Sequence, residues 1–137
     1  MFLIDTVTLS ELRRRQRDPK VVKWFETQRT ADLFLSVVSI GDIERGIARQ
    51  RGIDPSFAGA LAEWLDRILT LYSERLVPFN LGAARHWGAL SALIGNDSAD
   101  LMIAATALEN GFTVVTRNVS DFERTGVPVL NPFSRRS

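Results

Sequence analysis

The sequence predicts an α/β fold in which a mostly parallel sheet is covered on both faces by helices, and three observations carry that prediction. Short apolar runs recur at Phe2 to Ile4, Leu33 to Val37, Leu76 to Phe79, Thr113 to Val115 and Val127 to Leu130. Segments with helical periodicity separate them. Two Asp-Pro pairs, Asp18-Pro19 and Asp54-Pro55, place a capping side chain and a proline where helices start. Strands alternating with helices of about ten or more residues are the pattern of a parallel sheet.

The elements follow in order. The strand Phe2 to Ile4 leads into a helix near Thr8 to Arg15, and Asp18-Pro19 opens a second helix reaching Thr27. After the strand from Leu33, Ser39 is placed to cap a helix with Ile40, Ile43 and Ile47 on one face. Asp54-Pro55 opens the next, whose apolar stripe runs Phe57, Leu61, Trp64, Leu65, Ile68, Leu71 and Tyr72. Asn80 starts a helix from Leu81 to Ile94; Asp97 or Ser98 caps another that ends at Gly111, a residue suited to a left-handed C-terminal position. With no repeat, low-complexity tract or linker, residues 1–137 read as a single domain.

A chain of 137 residues is long enough to bury a core of its own. It has no cysteine, which excludes disulfides and thiolate metal sites and suits a reducing cytoplasm. No apolar run approaches the ~18 residues of a membrane span, so neither secretion nor membrane insertion is expected. The net charge of +1 gives no whole-molecule attraction to nucleic acid. Charge is nonetheless clustered: Arg13, Arg14, Arg15, Arg17 and Lys20 form one group, and Arg135 with Arg136 another. The first group is a solvated helix face or a phosphate track.

Four acids punctuate the pattern where a parallel sheet exposes its carboxyl edge. Asp5 closes the first strand, Asp42 lies just past the second, Asp100 opens a helix, and Asp121 lies in the polar loop Thr116 to Phe122. Open α/β sheets bind ligands outside the carboxyl ends of their strands, so these residues can meet in one crevice. Each has a structural alternative. Asp5 suits a turn or an N-cap, Asp42 completes a capping-box spacing with Ser39, and Asp100 suits a helix first turn. Asn118 and Thr116 either hold metal-bound waters or shape a turn. Carboxylates about 4 Å apart repel by about 4 kcal/mol at an effective dielectric of 20, so a cluster of them favours a cation. Oxygen donors without cysteine point to Mg²⁺ or Mn²⁺. The single histidine, His86, lies on an amphipathic helix, and with no second histidine or cysteine neither zinc hydrolysis nor a Ser/His or Cys/His nucleophile is expected.

These residues resemble a known family. Met1-Phe2-Leu3-Ile4-Asp5-Thr6, the run Leu35 to Ile43, Asp100 with Ile103-Ala104-Ala105-Thr106-Ala107, Val115-Thr116-Arg117-Asn118 with Asp121-Phe122, and Asn131-Pro132 are similar, in order, to a PIN-domain ribonuclease of the VapC toxin type. The resemblance implies a compact three-layer α/β/α fold, Mg²⁺- or Mn²⁺-dependent cleavage of RNA, and a cognate antitoxin; it also implies a homodimer. Asp5 and Asp100 match the central metal-binding aspartates, Asp42 the position where the family usually has Glu, and Asp121 the acid of the final loop. Thr6, Thr116 and Asn118 match supporting positions. The sequence departs from the family at Val7, where Asn is usual, at Asn80, where Asp is usual, and at Asp42, whose reach is shorter by one methylene. A PIN domain that binds RNA or a regulatory partner without cutting is the alternative those departures favour. An aspartyl-phosphate phosphatase or receiver domain would use Asp5, but Val7 breaks its Asp-x-Asp pair. The stripes at Trp24-Phe25 and Phe57 to Tyr72 are candidate grooves for an antitoxin helix, or ordinary core.

Overall fold

The computed structural model describes residues 1–133. Among them, β1 (Phe2–Ile4), β2 (Leu33–Ser36), β3 (Leu76–Val77), β4 (Thr113–Val115) and β5 (Val129–Leu130) form one sheet in the order β3-β2-β1-β4-β5, every pairing parallel. The helices are α1 (Thr6–Glu11), α2 (Pro19–Thr27), α3 (Val37–Arg51), α4 (Pro55–Leu71), α5 (Leu81–Ile94), α6 (Ala99–Asn110) and α7 (Val119–Glu123). The expected three-layer α/β/α arrangement is what forms. The Arg135-Arg136 tail lies outside the described residues.

Strand alternation divides the core in two. Ile4, Leu33, Leu35 and Val115 face a cluster with Leu9, Ile43 and Ile47 that takes in Trp64, Leu65, Ile68 and Tyr72 of α4. Leu3 and Val114 face the other way, onto Ile103, Ala104 and Ala107 of α6 and Phe122 of α7. Successive side chains of a strand point to opposite faces, and helices cover both, so the strands are apolar at nearly every position, Ser36 and Thr113 at strand ends excepted. The stripe of α4 is therefore mostly core rather than open groove.

Several boundaries differ from expectation, each for a local reason. α1 begins at Thr6 because Asp5 is its N-cap, and it stops at Glu11, ahead of the arginine run. Arg17 Nη1 donates to Leu12 O at 2.8 Å, and the buried Glu11 carboxylate accepts from Asp18 N at 2.8 Å, which turns the chain into α2. The capping box at Ser39 and Asp42 does not form: Ser36 caps α3 by accepting from Val38 N at 3.0 Å, so Ser39 is already inside the helix. Pro78 has no N–H for the ladder and ends β3 early; Pro128 likewise delays β5. The polar loop expected around Asp121 contains the short helix α7. Gly111 adopts φ 71°, as its place after α6 requires.

Arg75 ties three segments together. Its Nη1 donates to Thr30 O at 2.7 Å and Leu33 O at 2.9 Å, its Nη2 to Leu71 O at 2.8 Å, and its guanidinium lies 4.5 Å from the Tyr72 ring centroid. Removing a charged donor from three carbonyls and an aromatic face costs about 2 to 3 kcal/mol. Arg75→Ala is expected to lower the unfolding free energy measured in urea by that amount, with a lower midpoint at unchanged m, and Arg75→Lys to recover less than half, because an ammonium cannot reproduce the planar fork. An unchanged midpoint would contradict the assignment.

Candidate active site

Strand register places the first members of the site. Ile4 pairs with Leu35 on one side and Val115 on the other, so the residues that follow, Asp5, Ser36 and Thr116, come side by side at the carboxyl edge. From β1 the chain runs outward to β2 and β3, then returns to β4 on the opposite side. The gap between β1 and β4 is therefore the topological switch point, where an open sheet leaves a crevice. A bond between two side chains crosses it: Thr116 Oγ1 donates to Asp5 Oδ2 at 2.5 Å.

Asp5 takes the N-cap role that the sequence left open. Its Oδ1 accepts from Thr8 N at 2.8 Å and caps α1, yet the residue is only 2% exposed. Burial pushes its carboxyl above the usual carboxylate range, and the hydrogen bonds from Thr116 and Thr8 oppose that rise. Thr116 is held in turn, since its Oγ1 accepts from Asn118 N at 2.9 Å.

Asp100 sits in the first turn of α6. Burial raises its carboxyl, and the charges of Asp5, Asp121 and Asp42 raise it further, in that order. Coulomb effects fall with distance, so three acids felt at a fourth share one neighbourhood although they span most of the sequence. Asp42, on α3, is partly covered and pairs with Arg45 Nη2 at 2.9 Å. Asp121 is exposed in the first turn of α7, whose N-cap residue Asn118 makes no side-chain capping bond.

Two hydroxyls nearby are orphaned. Thr6 Oγ1, next to Asp5, and Ser39 Oγ, one turn ahead of Asp42 on the same helix, are buried without a partner. Such a hydroxyl costs about 1 to 3 kcal/mol unless a water or ligand meets it. Among the described residues no three His, Asp or Glu side chains close into a ready coordination set. The donors present are all oxygens, and Mg²⁺ is commonly held by one or two carboxylates while it keeps several waters. The arrangement fits a hydrated hard cation and does not fit a closed protein cage.

Ser36, Thr8 and Arg45 were not foreseen. Ser36 had a signal, being a serine at the end of an apolar strand before a helical period, and Arg45 is readable as the partner three residues beyond Asp42. Thr8 had none: its Oγ1 donates to Val115 O at 3.2 Å across 107 positions. Of the departures, Asn80 is a capping residue, accepting from Ala83 N at 2.9 Å, a task aspartate performs equally well. Val7 is largely exposed. His86 pairs with Glu109 at 3.3 Å between α5 and α6.

Comparison with known proteins agrees with this fold. The PIN domain family matches residues 2–128. VapC ribonuclease Y4jK of Sinorhizobium fredii is 33% identical over 145 residues, spanning 97% of this chain and 98% of that protein. Toxin FitB of Neisseria gonorrhoeae is 31% identical over 139 residues, spanning 97% and 99%. The crystal structure of FitAcB from Neisseria gonorrhoeae superposes with a TM-score of 0.84 at 31% identity, covering 96% of this chain and 98% of that one. From its fold, its switch-point acids and these matches, the chain belongs to the PIN-domain family.

Proposed function

We propose that the chain is a metal-dependent endoribonuclease and the toxin of a toxin–antitoxin pair, with Asp5, Asp42, Asp100 and Asp121 as its catalytic acids. The observation that carries this reading is the buried Asp5 carboxylate, held by Thr116 across the switch point, together with Asp100, whose carboxyl is raised first by burial and then by the charges of Asp5, Asp121 and Asp42. A cluster that destabilises the empty protein is accounted for by a cation that relieves it.

Asp5 and Asp100 would hold a Mg²⁺ or Mn²⁺ ion, with Asp42 and Asp121 reaching it through water. When bound, such an ion lowers the pKa of water and offsets charge gathering on the phosphate. Thr116 fixes the orientation of Asp5 before substrate arrives, and Asn118 N fixes Thr116. A carboxylate oxygen of the cluster accepts the proton of the attacking water. The hydroxyls of Thr6 and Ser39, unpaired within the fold, are available to position water beside it. With water as the nucleophile, the 2′-hydroxyl of RNA has no required part.

RNA as substrate is supported by the relative named a ribonuclease, and the toxin role by the one named a toxin. An antitoxin helix has a candidate seat in the cleft of about 380 Å³ lined by Leu12, Phe57, Leu61 and Trp64, with Arg13 and Arg67 at its side. A homodimer is supported by α5, which leaves Leu81 and Leu93 more than three-quarters exposed. No helix of the described residues is long and apolar enough to cross a membrane, and a cytoplasmic location accords with the lack of cysteine.

Two outcomes test the reading. Asp100→Asn is expected to fold and to lose about 100-fold or more of RNA cleavage, while EDTA abolishes cleavage by the wild type and Mn²⁺ restores it. Cleavage that survives both treatments would refute the site. The second outcome is thermodynamic. The folded carboxyls of Asp5 and Asp100 lie above their ordinary value of 3.8, so the folded state holds protons that the unfolded state releases. In EDTA, thermal stability should therefore fall as pH rises from below 3.8 through those raised values. At neutral pH Asp100→Asn should melt higher than wild type without metal, and millimolar Mg²⁺ should raise the wild-type Tm more than the variant's. Equal melting curves would count against a strained acid cluster.

A further inference from the structure

We infer that the cleft between α2 and the segment after β5 is a subsite for single-stranded RNA, taking a phosphate between Lys20 and Lys23 and a base against Trp24. The inference rests on the ribonuclease reading above. The cleft, about 490 Å³, lies between α2, which contributes Lys20, Lys23 and Trp24, and the segment after β5, which contributes Asn131, Pro132 and Phe133. Lys20 and Lys23 stand one turn apart on one helix face, both exposed. Among the described residues that line the cleft, none is acidic. Trp24 is partly exposed, and its ring is set by edge contacts to Phe2 and Phe25, each with centroids 5.1 Å apart.

A cationic wall beside a fixed aromatic ring is the combination that binds single strands without reading their sequence: the charges follow the backbone and the ring takes an unpaired base. A duplex offers no free base face to such a ring. The cleft is also joined to the catalytic acids. Thr116 bonds to Asp5, and the next residue, Arg117, holds its guanidinium 4.1 Å from the centroid of Phe133 in the cleft wall. Arg117 is exposed, so it can meet a phosphate on the way. A strand cut at Asp5 and Asp100 would then meet Arg117 at one wall of the cleft and Lys23 and Lys20 at the other.

The test compares wild type with Lys20→Ala/Lys23→Ala and with Arg49→Ala/Arg51→Ala, which removes the same charge from the last turn of α3. Anisotropy of a fluorescent single-stranded oligoribonucleotide in EDTA gives binding, and steady-state cleavage of the same RNA with Mn²⁺ gives kcat and KM. Loss of two phosphate contacts is expected to weaken binding roughly tenfold and to reduce the slope of log K against log salt by about 1.4. KM should rise with kcat unchanged, and the Arg49/Arg51 variant should match wild type. Equal weakening in both variants would show bulk charge alone and overturn the subsite. So would unchanged RNA binding by the Lys20/Lys23 variant while wild type still cuts RNA, which leaves the ribonuclease reading intact. Weaker binding of a poly-glutamate peptide with RNA binding unchanged would assign the cleft to an acidic protein partner instead. If wild type neither binds nor cuts RNA, the ribonuclease reading fails and the subsite falls with it.

Discussion

The hydrogen bond from Thr116 to Asp5 is the constraint on which the rest of the structure turns. It joins the ends of β1 and β4 at the one place, among the described residues, where the strand order diverges to both sides. The same carboxylate caps α1 through Thr8 N, so one side chain fixes a strand end, a helix start and the mouth of a crevice. On the proposed reading, folding and chemistry draw on the same oxygens. Burial disfavours the Asp5 charge while two donors favour it, and the balance leaves the carboxyl raised.

The other acids enlarge this competition. Asp100 lies in a helix first turn, where the dipole welcomes a negative charge, but burial and its three acidic neighbours outweigh that benefit. Asp42 relieves part of its own charge through Arg45. Asp121 stays in solvent, where water screens it. A graded set results, from a buried acid fixed by two hydrogen bonds to an exposed and adjustable one. Such a gradient suits a hydrated ion that must be held on one side and left open to substrate on the other.

Much of this was legible in the sequence, and the limits have physical causes. The apolar runs, the Asp-Pro starts and Gly111 set most elements, because strand patterning and capping are local. Asp5 was legible as a strand-end acid, since the parallel sheet sets its carboxyl edge, whereas Asp42, Asp100 and Asp121 lie within α3, α6 and α7. Helix starts adjoining the site were less so: Ser36 and Ser39 are both capping residues by type, and only the fold shows that Ser36 takes the cap and leaves Ser39 buried. The bond from Thr8 to Val115 O depends on tertiary approach and left no local trace. The cleft at Lys20 and Trp24 was hidden as well, because its far wall comes from Asn131 to Phe133, more than a hundred residues away.

The central claim is that Asp5 and Asp100 form the seat of a divalent cation. Anomalous diffraction from crystals grown with Mn²⁺ tests it most directly, since the ion is located without reference to activity. The account predicts a peak beside the carboxylates of Asp5 and Asp100 that disappears in Asp100→Asn crystals. A peak elsewhere on the molecule, or the same peak retained in the variant, would contradict it.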